Sequence, residues 1–287
     1  MRSNIRLCKN QRVLPHLKGG INVKYLVIKC GGSVLDNLPR TFYEDIVKMN
    51  NSGEWVPVIV HGGGPIINQL LKNLNVETTF VNGLRVTNHE VLDIVEMVLS
   101  GMVNKQVVRN ITEVDGKAIG VSGVDGSLLK AKPSSDAKAL GFVGEVVEVN
   151  QDMIEGIVNQ GYIPVISPIG VDAGGQRYNI NGDIAASAIA KALEANLCFI
   201  SDIPGILVEK DGVKTKLDKV TKQIIEEMID NQTIYGGMIP KVKAAIDGLV
   251  HNIPEVGIIN GFEKNSLLDY TNGKAVGTKI VLEEVIA

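Results

Sequence analysis

From Lys24 onward the chain repeats one pattern: a short unbroken apolar run, a glycine-rich break, then an amphipathic stretch. Tyr25-Leu26-Val27-Ile28 is the first run. It is too short for a helix and apolar at every position, so it predicts a strand buried on both faces. Gly31-Gly32-Ser33 follows, then a helix over about Thr41 to Asn50 with Phe42, Ile46 and Met49 on one face. Val56 to Val60 is a second strand, followed by Gly62-Gly63-Gly64. Pro65 stands where the first turn of a helix tolerates proline.

Further buried strands are expected at Ala118 to Val121, Ile163 to Ile166, Leu197 to Ile200 and Val256 to Ile259. Helices are expected at about Asp152 to Asn159, Asp183 to Leu193, Lys222 to Ile229 and Lys241 to Val250. After a loop at Asn82-Gly83, Thr87 and Glu90 read as a T-x-x-E capping box, opening a helix that turns Val91, Ile94 and Val98 to one face. The turn-rich stretch from Asp136 to Val149 predicts a hairpin rather than a helix. Apolar strands alternating with helices predict an α/β fold, a three-layer α/β/α sandwich with a mainly parallel central sheet.

Composition adds boundaries. The formal net charge of −3 offers no whole-molecule attraction to nucleic acid. Cys8, Cys30 and Cys198 have no metal-ligand spacing, and an odd number argues against a disulfide framework, so a reducing cytoplasm is the expectation. No apolar run reaches the length of a membrane helix. Residues 1–23 carry Arg2, Arg6, Lys9, Arg12 and Lys18 without an acidic residue, and read as a basic N-terminal extension, a flexible or interaction arm.

The candidate chemistry clusters at the glycine breaks. Ligands of open parallel sheets bind beyond the carboxyl ends of strands, and glycine lets backbone N–H groups approach a phosphate or carboxylate. The P-loop, dinucleotide and protein-kinase signatures are all missing. Lys29 ends the first strand beside its glycine loop, and Lys241 follows Gly236-Gly237-Met238-Ile239-Pro240 at the start of a helix. Either lysine could be an ordinary surface charge, but at a ligand-facing strand end each could stabilise a transferred phosphoryl group. Asn179-Ile180-Asn181-Gly182-Asp183 opens a helix of small residues, where Asn181 could cap and Asp183 could complement the helix dipole. Ser201-Asp202-Ile203-Pro204-Gly205 is either a plain turn or the rim of an adenine nucleotide. Arg85, in an apolar run, suits bidentate capture of a carboxylate or is a surface arginine.

Together, Val27 to Ser33, Ile59 to Pro65, Asn82 to Thr87, Val121 to Gly126, Asn179 to Asp183, Ser201 to Gly205 and Gly236 to Val242 resemble the amino-acid kinase superfamily, in its order. Asn-Gly-Leu-Arg-Val-Thr points within it to the branch acting on N-acetyl-L-glutamate in arginine biosynthesis. The resemblance implies the carbamate-kinase-like fold over residues 24–287, with an acceptor-binding half at about 24–178 and a nucleotide-binding half at about 179–287. It implies that Lys29 and Lys241 neutralise the transferred phosphoryl group and that Asp183 holds both. Gly63, Gly64, Arg85 and Asn179 would bind the acceptor. Gly31, Gly32, Asp202, Ile203, Pro204, Gly205, Ile206, Leu207, Thr233, Ile234 and Tyr235 would border ATP, with Mg2+ held mainly by its phosphates and no dedicated protein metal site.

An acceptor carboxylate is already ionised at neutral pH, so no general base is required, and His61 is expected to support its loop. Gly182 departs from an alanine common in the family. Sister kinases acting on acetylaminoadipate, glutamate, carbamate or UMP remain open, as does a non-catalytic sensor. A homodimer is expected, with a hexamer and an arginine effector as the alternative, and no nucleic-acid or membrane partner.

Overall fold

A computed structural model describes residues 24–210, 213–236 and 238–282; the basic stretch 1–23 and Gly237 lie outside them. The chain runs β1 (Lys24–Cys30), α1 (Gly32–Leu35), α2 (Arg40–Ser52), β2 (Trp55–His61), α3 (Gly64–Asn73), β3 (Phe80–Val81), β4 (Leu84–Arg85) and α4 (His89–Glu96). A π-helical segment (Met97–Val103) joins α4 to α5 (Asn104–Thr112), and β5 (Ala118–Ser122) follows. Next come β6 (Leu129–Pro133), α6 (Ala137–Leu140), β7 (Gly144–Val149), α7 (Gln151–Asn159), β8 (Ile163–Ser167), β9 (Ile169–Val171), β10 (Arg177–Asn179) and α8 (Gly182–Ala192). The last part is β11 (Asn196–Ser201), β12 (Leu207–Lys210), β13 (Val213–Lys216), β14 (Lys219–Thr221), α9 (Lys222–Asp230), α10 (Met238–Val250), β15 (Val256–Asn260), α11 (Ser266–Thr271) and β16 (Thr278–Val281).

Eight strands form the central sheet in the order β14-β16-β15-β11-β1-β2-β8-β5. All neighbours are parallel except β15 and β16. The alternation of side chains along each strand divides the interior in two. Leu26, Ile28 and Cys30 face the core made with α1 to α5 and α11, while Val27 faces the core made with α7 to α10. Helices therefore cover both faces, as the continuous apolar strands require. Burying Leu26 or Ile28 fully contributes roughly 1.5–3 kcal/mol each. Among the described residues no helix is long and apolar enough to cross a membrane.

Two local expectations change. The helix at His89 is capped by Asn88, whose Oδ1 accepts from Val91 N at 2.8 Å, and not by a Thr87–Glu90 box. Thr87 is unavailable because its hydroxyl donates to the Arg85 carbonyl at 2.8 Å. The expected hairpin is β6–β7, but its first arm lies upstream of Asp136, and residues Ala137–Leu140 make one helical turn at its tip. The hairpin belongs to a second sheet, β10-β9-β6-β7, which the sequence pattern did not reveal. The β12–β13 hairpin was likewise unforeseen.

Candidate active site

β1 lies between β2 and β11, so the chain leaves its carboxyl end where the strand order reverses, the usual place for a ligand crevice. Lys29 shares the parity of Val27 and points at α8. Its Nζ lies 2.6 Å from Asp183 Oδ1, and both residues are buried. The approach is off the angle of a hydrogen bond, so attraction between charges carries it. Asn181 caps α8, accepting from Asp183 N at 2.8 Å and Ile184 N at 3.3 Å, and so fixes the turn that presents Asp183. A Cβ on Gly182 would stand 3.4 Å from Lys29 Cε, an ordinary contact, so glycine and alanine both fit there.

The two glycine loops touch. Gly62 N donates to the Cys30 carbonyl at 2.9 Å, which carries the β1–β2 ladder into the loops. A Cβ on Gly32 would lie 2.7 Å from Gly64 N and 2.9 Å from Gly63 N, so only glycine allows this approach. Gly63 precedes α3 with no side-chain cap, and the first-turn N–H groups of that helix are left for a ligand. Leu99 and Val103 of the π-helical segment close on Gly63 from behind.

His61 braces the second loop. Its Nδ1 lies 3.1 Å from the Gly62 carbonyl and its Nε2 lies 3.2 Å from Asn104 Nδ2. A proton on Nδ1 satisfies both contacts. Burial pushes its pKa down to about 4, so the ring is neutral at working pH. Asn104 also donates to the carbonyls of Val165 and Val121, tying three strands at once.

Arg85 sits at the end of the β3–β4 hairpin and is buried. Its Nη2 donates to Asn68 Oδ1 at 2.5 Å, and its Cζ lies 4.7 Å from the centre of the Phe80 ring. Its Nη1 is buried and has no hydrogen-bond partner among the described residues. Burial lowers its pKa below the ordinary arginine value. Asn179 Nδ2 donates to Thr87 Oγ1 at 3.1 Å, so Arg85, Thr87 and Asn179 form one connected unit, two residues from the Asn181 cap.

Lys241 lies in the first turn of α10. Its pKa is lowered, first by burial and then by the charge of Lys29, while Asp183 and Asp202 oppose the shift. These four groups therefore share one electrostatic neighbourhood. The segment after β11 is pinned to β16, because Ile206 N donates to Thr278 Oγ1 at 2.8 Å and Gly205, at φ +145°, packs on Thr278. Asp202, Thr233 and Tyr235 are exposed, and Ile203, Pro204 and Leu207 are half-buried. Ile206 and Ile234 are buried in the core, so what they can offer a ligand is backbone. A cleft of about 790 Å³ runs from Asn181 and Asp183 along α8, between β7 and α10. Sequence reasoning missed Asn68, Phe80, Thr87 and Asn104 as parts of the site. Asn68, Phe80 and Asn104 have partners 5 to 61 residues away along the chain and no local motif announces them, while Thr87 stands in the Asn82 to Thr87 motif but reaches Asn179 only across 92 residues.

A crevice at the strand reversal, two touching glycine loops and two lysines around one aspartate define a phosphoryl-transfer class of α/β protein. The chain belongs to the amino acid kinase family, whose model matches residues 24–260. Its similar relatives are acetylglutamate kinases. That of Oceanobacillus iheyensis is 48% identical, with 91% of this chain and 98% of the relative covered. That of Geobacillus kaustophilus is 50% identical, over 90% of this chain and 96% of the relative. A crystal structure from Streptococcus mutans superposes with TM-score 0.78 at 28% identity, covering 90% of this chain and 99% of that one. Carbamate kinase from Giardia lamblia bound to AMP-PNP shares the fold, with TM-score 0.67 at 18% identity, covering 92% and 100%.

Proposed function

We propose that this protein is an acetylglutamate kinase, transferring the γ-phosphate of ATP to the side-chain carboxylate of N-acetyl-L-glutamate. The products are ADP and N-acetyl-L-glutamyl 5-phosphate, and the reaction serves arginine biosynthesis. The observation that carries the acceptor assignment is Arg85. Its guanidinium is buried, its Nη1 has no partner, and among the described residues no carboxylate lies within ion-pair distance of it. A buried charge of this kind calls for an anion from outside. The α-carboxylate of an acylated amino acid supplies one, and Asn179 stands beside it through Thr87.

The chemistry then follows from charge. The attacking carboxylate oxygen is ionised at neutral pH, so the site has only to align it and neutralise the phosphoryl group. The uncapped start of α3, behind Gly63 and Gly64, faces the acceptor and the phosphoryl group with backbone donors. Lys29 and Lys241 place positive charge on opposite sides of the transferred group, and Asp183 fixes their positions. Gly31, Gly32, the segment Asp202 to Leu207 and Thr233 to Tyr235 border the nucleotide. Among the described residues no three His, Cys, Asp or Glu side chains meet to hold a metal. Magnesium would enter on the nucleotide and supply further neutralisation of the phosphates when bound.

We assign residues 24–178 to the acceptor and 179–287 to the nucleotide. The working assembly we infer is a cytoplasmic homodimer; Met97 and Met102, each more than half exposed on the π-helical segment, offer an apolar face for a second copy. A hexamer and control by arginine are the alternative, read by sizing with and without arginine and with and without residues 1–23. ADP release measured with acetylglutamate, acetylaminoadipate, glutamate, carbamate, UMP and no acceptor tests the activity. Turnover confined to another acceptor, or absent with all, overturns this reading.

A further inference from the structure

The arrangement around Arg85 is selective in a way that its charge alone does not explain. A protein that needs only to bury an arginine can neutralise it with Asp or Glu. Here the contacts among the described residues are all uncharged. Asn68 Oδ1, on the second turn of α3, accepts from Nη2 at 2.5 Å. Phe80, cross-strand partner of Arg85 in the β3–β4 hairpin, covers the guanidinium at 4.7 Å. Phe80 is 55% exposed, an unusual place for phenylalanine unless the ring is held there by what lies beneath. Thr87 fixes the arginine backbone by donating to its carbonyl at 2.8 Å. One arm of the fork is anchored, its face is shielded, its main chain is fixed, and Nη1 is buried and, among the described residues, unpaired.

We propose that Asn68 and Phe80 are positioning residues that form an uncharged clamp, making Arg85 a selector for acceptors with a second carboxylate. The clamp fixes the fork without discharging it, so the full positive charge remains for the ligand. An amide oxygen can do this and a carboxylate cannot: Asp in place of Asn68 would pair with the guanidinium and compete with the incoming anion. Shielding by Phe80 removes water from one face and strengthens attraction to the anion that does bind. Acceptors with a single carboxylate leave the buried charge unpaired and are rejected on that account. Asn68 lies within the helix that starts at Gly64, so the clamp also fixes the selector relative to the loop where phosphate is transferred. This inference rests on the acceptor reading proposed above.

The test is steady-state kinetics of the full chain and the variants Asn68→Asp and Phe80→Leu, each with acetylglutamate and with 4-acetamidobutanoate, which lacks the α-carboxylate. Asn68→Asp is expected to raise KM for acetylglutamate by about 10- to 100-fold, the loss of a charge-assisted contact. It should leave KM for ATP within about twofold and narrow the preference for acetylglutamate over the monocarboxylate. Phe80→Leu keeps an apolar cover without the ring and is expected to raise the acceptor KM by a few-fold only. Both side chains are exposed, so folding is not at stake. Unchanged acceptor KM in Asn68→Asp, or equal rises for acceptor and ATP, overturns the clamp while wild-type turnover stands. Absence of wild-type turnover with acetylglutamate overturns the acceptor reading itself, and the clamp with it.

Discussion

Lys29 Nζ stands 2.6 Å from Asp183 Oδ1, with side-chain exposures of 9% and 11%, at the point where the strand order of the sheet reverses. Removing Asp183 leaves Lys29 as a buried charge without its counter-ion, an effect of about 3–5 kcal/mol on stability. Lys29→Ala is expected to lower kcat by at least about 10²-fold, the usual cost of losing one donor to developing charge. The double variant Lys29→Ala, Asp183→Ala should recover thermal stability without recovering turnover. Recovery of both together would make the pair a purely structural bridge.

Lys241→Ala is expected to lower kcat by a similar factor, with Tm close to wild type. Burial and the charge of Lys29 depress the pKa of Lys241, so its proton is lost at lower pH than from an ordinary lysine. Turnover should therefore decline on the alkaline side earlier than an ordinary lysine would dictate, because the protonated form is the active one. A rate that holds flat to the ordinary lysine range would remove Lys241 from the chemistry.

Arg85→Lys should raise KM for the acyl amino acid by about 10-fold or more and leave KM for ATP nearly unchanged. Lysine keeps the charge but cannot hold Asn68 with one arm and a carboxylate with the other. Initial-rate measurements varying each substrate in turn separate the two constants. Equal rises would move Arg85 off the acceptor.

Asp45, buried in α2, has its pKa pushed up to about 6, chiefly by burial, with Asp269 and Glu44 adding to the shift and Lys48 and Lys264 opposing it. Among the described residues its Oδ1 has no hydrogen-bond partner. A carboxyl whose folded pKa exceeds its unfolded value of 3.8 imposes a penalty that is complete above about pH 6 and vanishes below about 4. Asp45→Asn should thus stabilise the protein at pH 7 by about 2 kcal/mol and give no gain at pH 4. His61 acts oppositely in the same window: its folded pKa is lowered, so its contribution is full above pH 6.5 and is lost as pH falls towards 4. Denaturant titrations of wild type and Asp45→Asn at both pH values separate the two.

Much of this was legible in the sequence because the signals were local. Continuous apolar runs such as Leu26-Val27-Ile28 and Val58-Ile59-Val60 can be buried on both faces only in a covered parallel sheet, and both are. Lys29 and Asp183 were readable as candidates because each stands beside a glycine or a cap. What could not be read depended on distant partners. Thr87 is as good a cap as Asn88 in isolation; the carbonyl of Arg85 and the amide of Asn179 decide between them. The strands β9 and β10 are three residues each, too short to show alternation. Asn68 reads as an ordinary exposed residue of α3 until the hairpin folds Arg85 onto it.

The π-helical turn between α4 and α5 carries one more consequence. The stretch Met97–Val103 winds more widely than an α-turn, taking up a residue that regular winding would not. The slack is absorbed inside the segment, so Leu99 and Val103 press on Gly63 while Asn104 still reaches His61, Val121 and Val165. The irregular turn thus works as a phase adjuster between two helices. A deletion in the regular winding of α4, which has no such slack, would rotate everything that follows by roughly 100° about the helix axis. Shortening the chain should therefore be tolerated better within Met97–Val103 than one turn earlier.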